Sequence, residues 1–195
     1  MKKTLLAGLA TGLLILGVSG NVYATPVQWT TGAGGNGHWY EIVDASISWS
    51  AASTAAVSAG GYLATITSEN EQQFVASLIA SHVSGITNIG DSGYIIGGFQ
   101  PTGSTGEPGG NWQWVTGEAW VYTNWGVGEP NNSGVENYLY MDERYTWAWN
   151  DYIDAGTYYR QPSGYIIESV PEPATMLLFG TGIAGLAAVG RRRRS

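Results

Sequence analysis

The stretch GGYLATITSENEQQFVASLI, residues 60–79, places a short strand directly before an amphipathic helix. Aromatic, aliphatic and β-branched residues follow the glycine pair, and they predict a strand over 62–66. Ser68 is followed three residues later by Glu71, and this capping box predicts that a helix begins there. The apolar residues of that helix lie on one face, at Phe74, Val75, Leu78 and Ile79.

The segments on either side of this stretch complete the pattern of one fold class. Upstream, residues 38–43 predict a strand, and the Ala-rich segment 48–59 has apolar residues at helical spacing. Downstream the helical period disappears, and a long segment rich in Gly, Asn and Pro lies between Gly117 and Asn137. This order predicts an α+β fold in which two helices pack on small antiparallel sheets. The downstream strands are expected at 94–98, 112–115, 138–141, 147–150 and 165–168.

The charged residues are distributed unevenly along the chain. Residues 25–170 hold 14 of the 15 carboxylates and only two of the eight basic residues, so this segment has a net charge of −12. A region this acidic has no basic patch to neutralise phosphates, which excludes nucleic acid as a partner. The chain has no Cys, which excludes disulfides, thiolate zinc sites and thiol nucleophiles.

The N-terminal end has the pattern of an export signal. Lys2 and Lys3 precede an apolar run over 5–18, and Val22-Tyr23-Ala24 is a small-x-small cleavage pattern. Residues 1–24 are therefore interpreted as a signal peptide, with a short transmembrane anchor as the alternative. The domain itself is expected over residues 25–170.

The C-terminal end, residues 171–195, is also modular. Pro171-Glu172-Pro173 precedes an apolar run over 174–190, and four Arg follow that run. The run is at the lower limit for a transmembrane span, and the Arg cluster favours a cytoplasmic end. This order resembles a PEP-CTERM sorting tail, which implies cleavage by an exosortase after transient residence in the inner membrane. The alternative is a permanent anchor, and in both cases the domain faces outward.

Acidic and amide side chains concentrate in the second half of the domain. Six carboxylates lie between Glu129 and Asp154, and four Asn are interleaved with them. Calcium takes six to eight oxygen ligands from carboxylates, amides and backbone carbonyls, so this mixture favours Ca²⁺. Zinc is disfavoured because the chain has only two His, His38 and His82, and neither is near the cluster in sequence.

Residues 38–168 resemble a C-type lectin domain. Each short motif is common on its own, and the ordered combination carries the resemblance. The resemblance implies the C-type lectin-like fold, with a long irregular calcium-binding loop region. The matching motifs are Trp39-Tyr40, the 60–66 segment, Glu71 with Phe74-Val75, Ile95-Ile96-Gly97, Trp112-x-Trp114, Gly117, Asn124-Trp125, Glu129-Pro130-Asn131, Trp149-Asn150-Asp151 and 165–168.

The resemblance also implies a site. In sugar-binding members, equivalent residues hold one Ca²⁺, and the carboxylates and amides bind vicinal sugar hydroxyls. The Glu-Pro-Asn tripeptide resembles the mannose-type choice, and its proline follows a cis bond in the family. The metal ligands implied here are Glu129, Asn131, Glu136, Asn150 and Asp151, and the first four also contact carbohydrate.

The chain departs from the family pattern at two points. The family usually has two disulfides, whereas Tyr138 and Ile167 stand where two of those cysteines would be. Asn137 stands where members with an auxiliary Ca²⁺ tend to have an acid, so the resemblance supports one calcium site. Core packing is expected to compensate for the missing disulfides.

The sequence therefore predicts an exported bacterial protein that binds a mannose-type glycan or extracellular polysaccharide through Ca²⁺. The alternative is a calcium-independent structural or protein-binding matrix module on the same fold. A hydrolase is a third idea, but no motif isolates a catalytic pair, so no enzyme is expected. Trp114 and Trp125 are expected in the core, whereas Trp147 and Tyr145 are candidates for exposed contacts.

Overall fold

The computed structural model describes residues 22–84, 93–154 and 162–171. Helix α1 spans Trp49–Ser58 and helix α2 spans Glu69–His82. The strands are short, as the sequence predicts. They are β1 Val22–Tyr23, β2 Val27–Gln28, β3 Trp39–Asp44, β4 Tyr62–Leu63, β5 Gly93–Phe99, β6 Gln113–Trp114, β7 Tyr138–Asp142, β8 Ala148–Tyr152 and β9 Gly164–Ser169.

The strands of the described residues join into one sheet of nine strands, in the order β1-β3-β9-β5-β7-β8. Strands β2, β4 and β6 pair with β3, β9 and β5 respectively. All pairs are antiparallel except β5 with β9, which run parallel through Tyr94↔Gly164 and Ile95↔Tyr165. The α+β class is confirmed, and the sheet is mixed and continuous because this parallel pair joins its two halves.

Both helices begin where the sequence predicts. The Ser48 side chain accepts a hydrogen bond from Ala51 N at the start of α1, and Ser68 accepts one from Glu71 N at the start of α2. Helix α1 buries Ala52 and Ala56 against the sheet. Small side chains allow this close approach, since Leu63, Ile95 and Ile167 lie in the same cluster.

Helix α2 packs on the other, larger core. Val75 and Ile79 are fully buried there, together with Trp149 and Leu139 from the sheet. Aromatic rings surround Trp149, with the ring of Trp114 at 5.5 Å and edge-on. The rings of Tyr122, Trp120 and Trp125 lie 5.6 to 5.8 Å from it. Core packing is confirmed for Trp114, which is 2% exposed, and Trp125 packs partly buried against the same cluster.

A buried polar network ties α2 to β3 and β9. Tyr40 donates its hydroxyl to Glu71 at 2.5 Å and lies 3.1 Å from Glu168, and both carboxylates are 2% exposed. His38 Nδ1 lies 2.6 Å from Glu168, and Thr65 N donates to the same carboxylate. Burial raises the pKa of Glu168, while the His38 and Thr65 contacts oppose that rise. These side chains join the two ends of the domain without a disulfide.

Candidate functional site

The five predicted ligands lie on two neighbouring pieces of chain. Glu129, Asn131 and Glu136 belong to the long segment between β6 and β7, whereas Asn150 and Asp151 are on β8. Trp149 holds the two pieces together because it points into the core while its backbone bonds the loop. Trp149 N donates to Asn124 O at 2.7 Å, and Gly126 N donates to Trp149 O at 2.8 Å.

Asp151 anchors the loop directly. Its carboxylate is fully buried and accepts backbone hydrogen bonds from Asn131 N at 3.0 Å and Asn132 N at 2.7 Å. Asn132 has a φ of 47°, a left-handed conformation that Asn tolerates well. The Glu129–Pro130 bond is cis, as the resemblance implies. The structure therefore brings the Glu-Pro-Asn segment against the Asn-Asp pair.

Glu129 and Asn131 form one polar pair. The Asn131 amide donates to Glu129 Oε2, and Tyr145 donates its hydroxyl to Glu129 Oε1 at 2.6 Å. Asn131 Oδ1 accepts from Ser133 N at 2.8 Å. Burial raises the pKa of Glu129, the Tyr145 hydrogen bond opposes this, and the charge of Asp151 raises it further.

Glu136 completes the loop side of the group. Its carboxylate accepts from Ser133 N at 2.7 Å. Burial raises the pKa of Glu136 to about 7, against the lowering effect of the Ser133 hydrogen bond. The negative charges of Asp151 and Glu129 raise it further, so the three carboxylates repel one another.

The side chain of Asn150 forms hydrogen bonds through its amide nitrogen only. The side chain is 6% exposed, and Nδ2 lies 3.1 Å from the Tyr140 hydroxyl and 3.3 Å from Asp142. Its oxygen, Oδ1, is buried and has no hydrogen-bond partner. An unpartnered buried acceptor costs about 1–3 kcal/mol, and a ligand to this oxygen would remove that cost.

Two residues that support Asn150, Asp142 and Tyr140, were not predicted from the sequence. Asp142 is fully buried, forms an ion pair with Arg144, and accepts the Tyr140 hydroxyl at 2.9 Å. This arrangement orients the Tyr140 hydroxyl toward Asn150. The i, i+2 spacing of Asp142 and Arg144 was the available signal, because Arg144 is one of only two basic residues in the domain.

The expected exposure of Trp147 is wrong. Trp147 is 7% exposed, and its ring lies 6.2 Å from that of Tyr94 in the core. Its carbonyl accepts from Gln72 Nε2 at 2.8 Å, which fixes it against α2. Tyr145 is half-buried, and its hydroxyl faces Glu129. Of these two aromatic candidates, Tyr145 is therefore the one that contacts a predicted ligand.

The donor chemistry of the five residues fits calcium. Three carboxylates and two amides offer only hard oxygen ligands, and one of these oxygens, on Asn150, has no partner. Within residues 22–84, 93–154 and 162–171, no three His, Asp or Glu side chains are grouped closely enough to hold a metal by themselves.

Of the predicted sorting tail, residues 171–195, the structure describes only Pro171. Pro171 is exposed, whereas Glu172, Pro173 and the predicted span 174–190 lie outside the described residues. No helix in the described part of the chain is long and apolar enough to cross a membrane. Most of the predicted signal peptide also lies outside the described residues, but Val22 and Tyr23, at its end, pair with β3.

Comparison with known proteins assigns two regions of the chain. Residues 45–159 match the Lectin C-type domain, and residues 169–194 match the PEP-CTERM protein-sorting motif. Ladderlectin from Oncorhynchus mykiss is 33% identical over 132 residues, which are 67% of this chain and 63% of ladderlectin. The chain thus spans less than two thirds of the length of the curated relatives it matches.

Solved structures share the fold. Human lithostathine superposes with a TM-score of 0.56 at 20% identity, covering 69% of this chain and 92% of that one. A structure described as a calcium-independent type II antifreeze protein gives a TM-score of 0.52 at 20% identity. That match covers 76% of this chain and 96% of the antifreeze protein. At these identities the likeness extends to the fold alone.

Proposed function

Since the chain belongs to the C-type lectin domain family and carries a PEP-CTERM sorting motif, we propose that it is an exported, calcium-dependent carbohydrate-binding protein. The family is non-enzymatic, and the chain is not an enzyme. The motif implies export and a membrane-anchored precursor. Carbohydrate specificity and calcium dependence rest on the site.

One observation carries the proposal. The Asp151 carboxylate accepts the backbone N–H groups of Asn131 and Asn132, which holds the Glu-Pro-Asn loop against the strand that presents Asn150. Two further features support it. The repulsion among Glu129, Glu136 and Asp151 would be relieved by a cation, and the unpartnered Asn150 oxygen would gain a ligand.

The roles are those that the resemblance to sugar-binding C-type lectin domains implies, and the donor types fit them. Glu129, Asn131, Glu136, Asn150 and Asp151 would hold one Ca²⁺, which supplies open positions for two vicinal hydroxyls. Glu129 and Glu136 would accept hydrogen bonds from those hydroxyls, and Asn131 and Asn150 would donate to them. The Glu-Pro-Asn tripeptide resembles the family's mannose-type choice, which takes equatorial 3- and 4-hydroxyls, so a mannose-type glycan or an extracellular polysaccharide is the proposed partner.

A calcium-independent structural or protein-binding matrix module is the second candidate. It is favoured by the hydrogen bonds that already occupy the loop, since Glu129 pairs with Asn131 and Tyr145. The solved antifreeze protein described as calcium-independent has the same fold. This module would present the same loop to a protein without an ion.

The two candidates differ in their response to a chelator. We expect the full-length chain, in a detergent without a sugar headgroup, to bind immobilised mannan with Ca²⁺ and to lose that binding in EDTA. The calcium affinity should be weak, on the order of 10⁻⁴–10⁻³ M, as in extracellular modules. Restoring Ca²⁺ should restore binding, whereas Mg²⁺ at the same concentration serves as the control. Mannan binding that EDTA does not change would contradict the proposal.

The two ends of the chain provide a second test. We propose that residues 1–24 form a signal peptide and that an exosortase cleaves near Pro171, Glu172 and Pro173. The span 174–190 would then reside only transiently in the inner membrane, and domain 25–170 would reach the cell surface or medium. Intact-mass analysis of the exported protein should show loss of residues 174–195. An exported protein that retains these residues would favour a permanent anchor.

A further inference from the structure

A cleft of about 520 Å³ lies between α1 and the adjoining ends of β5 and β7. We propose that this cleft is a second carbohydrate site, independent of calcium, that takes the apolar face of a neutral pyranose ring. The inference goes beyond the proposed calcium site and does not depend on it. The residues that carry the argument are Trp49, Ser53, Phe99, Gln100, Thr102 and Tyr138.

Three aromatic rings form one wall of the cleft. The ring of Trp49 lies 4.7 Å from that of Tyr138 and 5.6 Å from that of Phe99. Trp49 Nε1 donates to Ile96 O at 2.9 Å, which fixes the indole orientation. All three residues are half-buried, so part of each is accessible to a ligand. The C–H groups of a sugar face carry partial positive charge and pack well on aromatic faces.

The cleft is uncharged in a strongly acidic domain. None of its ten lining residues is Asp, Glu, Lys or Arg, although residues 25–170 have a net charge of −12. Anionic polymers are repelled by the domain as a whole, and a cationic ligand finds no partner in the cleft. The charge pattern therefore selects a neutral ligand.

Gln100 supplies a polar group at the wall of the cleft. It is 3% exposed, and its Nε2 donates to Gly110 O at 2.5 Å and to Glu107 at 3.1 Å. Its Oε1 is buried and has no hydrogen-bond partner. Gln100 itself lines the cleft, and the hydroxyls of Ser53 and Thr102, which can bond a ligand hydroxyl, lie among the same lining residues.

The backbone around the cleft favours a sugar over an extended peptide. Phe99 pairs with Tyr138 on one side and with Gln113 on the other, and Tyr138 also pairs with Tyr152. Strand addition requires an unpaired edge, and neither Phe99 nor Tyr138 lies on one. Recognition here must therefore come from side chains, which suits a ring that stacks and accepts a few hydrogen bonds.

The test uses cellohexaose, a neutral oligosaccharide with flat apolar faces. We expect calorimetric titration to detect its binding to the full-length chain, in a detergent without a sugar headgroup, equally with Ca²⁺ and with EDTA. Trp49→Ala should weaken binding about tenfold, a loss of roughly 1.4 kcal/mol. Since Trp49 also packs in the core, Ser53→Glu serves as the second variant. It places a charge at the cleft and should weaken binding by a similar factor.

Ser58→Glu is the matched control, because Ser58 is exposed on the same helix and outside the cleft lining. It should leave cellohexaose affinity within about twofold of the starting chain. Equal binding by the Ser53→Glu and Ser58→Glu chains would overturn the proposal. The sugar assignment would be overturned if the chain did not bind cellohexaose but did bind a neutral Val/Thr peptide, and if Ser53→Glu abolished that peptide binding. If EDTA abolished mannan binding but not cellohexaose binding, the result would support the calcium site and would also agree with a separate, calcium-independent cleft.

Discussion

Replacing Trp149 by alanine is expected to lower the free energy of unfolding by about 3–5 kcal/mol, the range for aromatic-to-alanine changes in a core. The side chain is fully buried and contacts the rings of Trp114, Trp120, Trp125 and Tyr122. Its Nε1 also donates to Gln72 Oε1 at 2.8 Å, so the substitution leaves a buried acceptor unpaired. Urea titration followed by far-ultraviolet circular dichroism measures the loss.

Two variants define how this result is read. Trp39→Ala removes the same side chain from a position that is 39% exposed, and it should cost only about 1 kcal/mol. Trp149→Phe keeps a ring in the core, and its loss of unfolding free energy should lie between the losses for Trp149→Ala and Trp39→Ala. Equal losses for Trp149→Ala and Trp39→Ala would show that the cluster around Trp149 does not organise the core.

The second large effect is expected from Asp151→Asn. The substitution should reduce calcium-dependent mannan binding by at least about 100-fold, since it removes a charge and an acceptor together. An amide can present only one oxygen to the N–H groups of Asn131 and Asn132, which both bond the carboxylate now. The measurement is mannan binding against Ca²⁺ concentration, with the thermal midpoint recorded in parallel.

Asp151 has a structural role as well as the proposed ligand role, so a second variant is needed. Glu129→Gln leaves the loop anchor of Asp151 in place and should still weaken calcium-dependent binding. Glu143→Gln removes one negative charge from the same region at a residue outside the proposed ligand set, and it should leave binding unchanged. If Glu129→Gln and Glu143→Gln behave alike, the proposed ligand set is wrong.

Local sequence signals predicted the elements of the fold well. The Ser68–Glu71 spacing placed the start of α2, and the glycine pair at 60–61 separated α1 from β4. The structure also places the Glu-Pro-Asn loop beside the Asn-Asp pair of β8, and each of these has a distinctive motif in the sequence. Their roles as ligands stay a prediction. These signals succeed because capping and turn chemistry act over a few residues.

Long-range and backbone-dependent features could not be predicted in this way. Thr146 and Trp147 both have positive φ, at 56° and 66°. This reversal turns the Trp147 side chain into the core, which no alternation pattern indicates. The network of Tyr40, Glu71 and Glu168 likewise depends on residues far apart in sequence, and no local signal links them.

The position of β9 has a mechanical consequence. The strand ends at Ser169, where the matched sorting motif begins, so any pull on the C-terminal tail enters the domain through it. One edge of β9 is bonded to β3 over six residue pairs, and the other is bonded to β5 and β4. A tensile load along β9 is therefore shared by hydrogen bonds on both flanks and is spread across the sheet before it reaches the Glu-Pro-Asn loop.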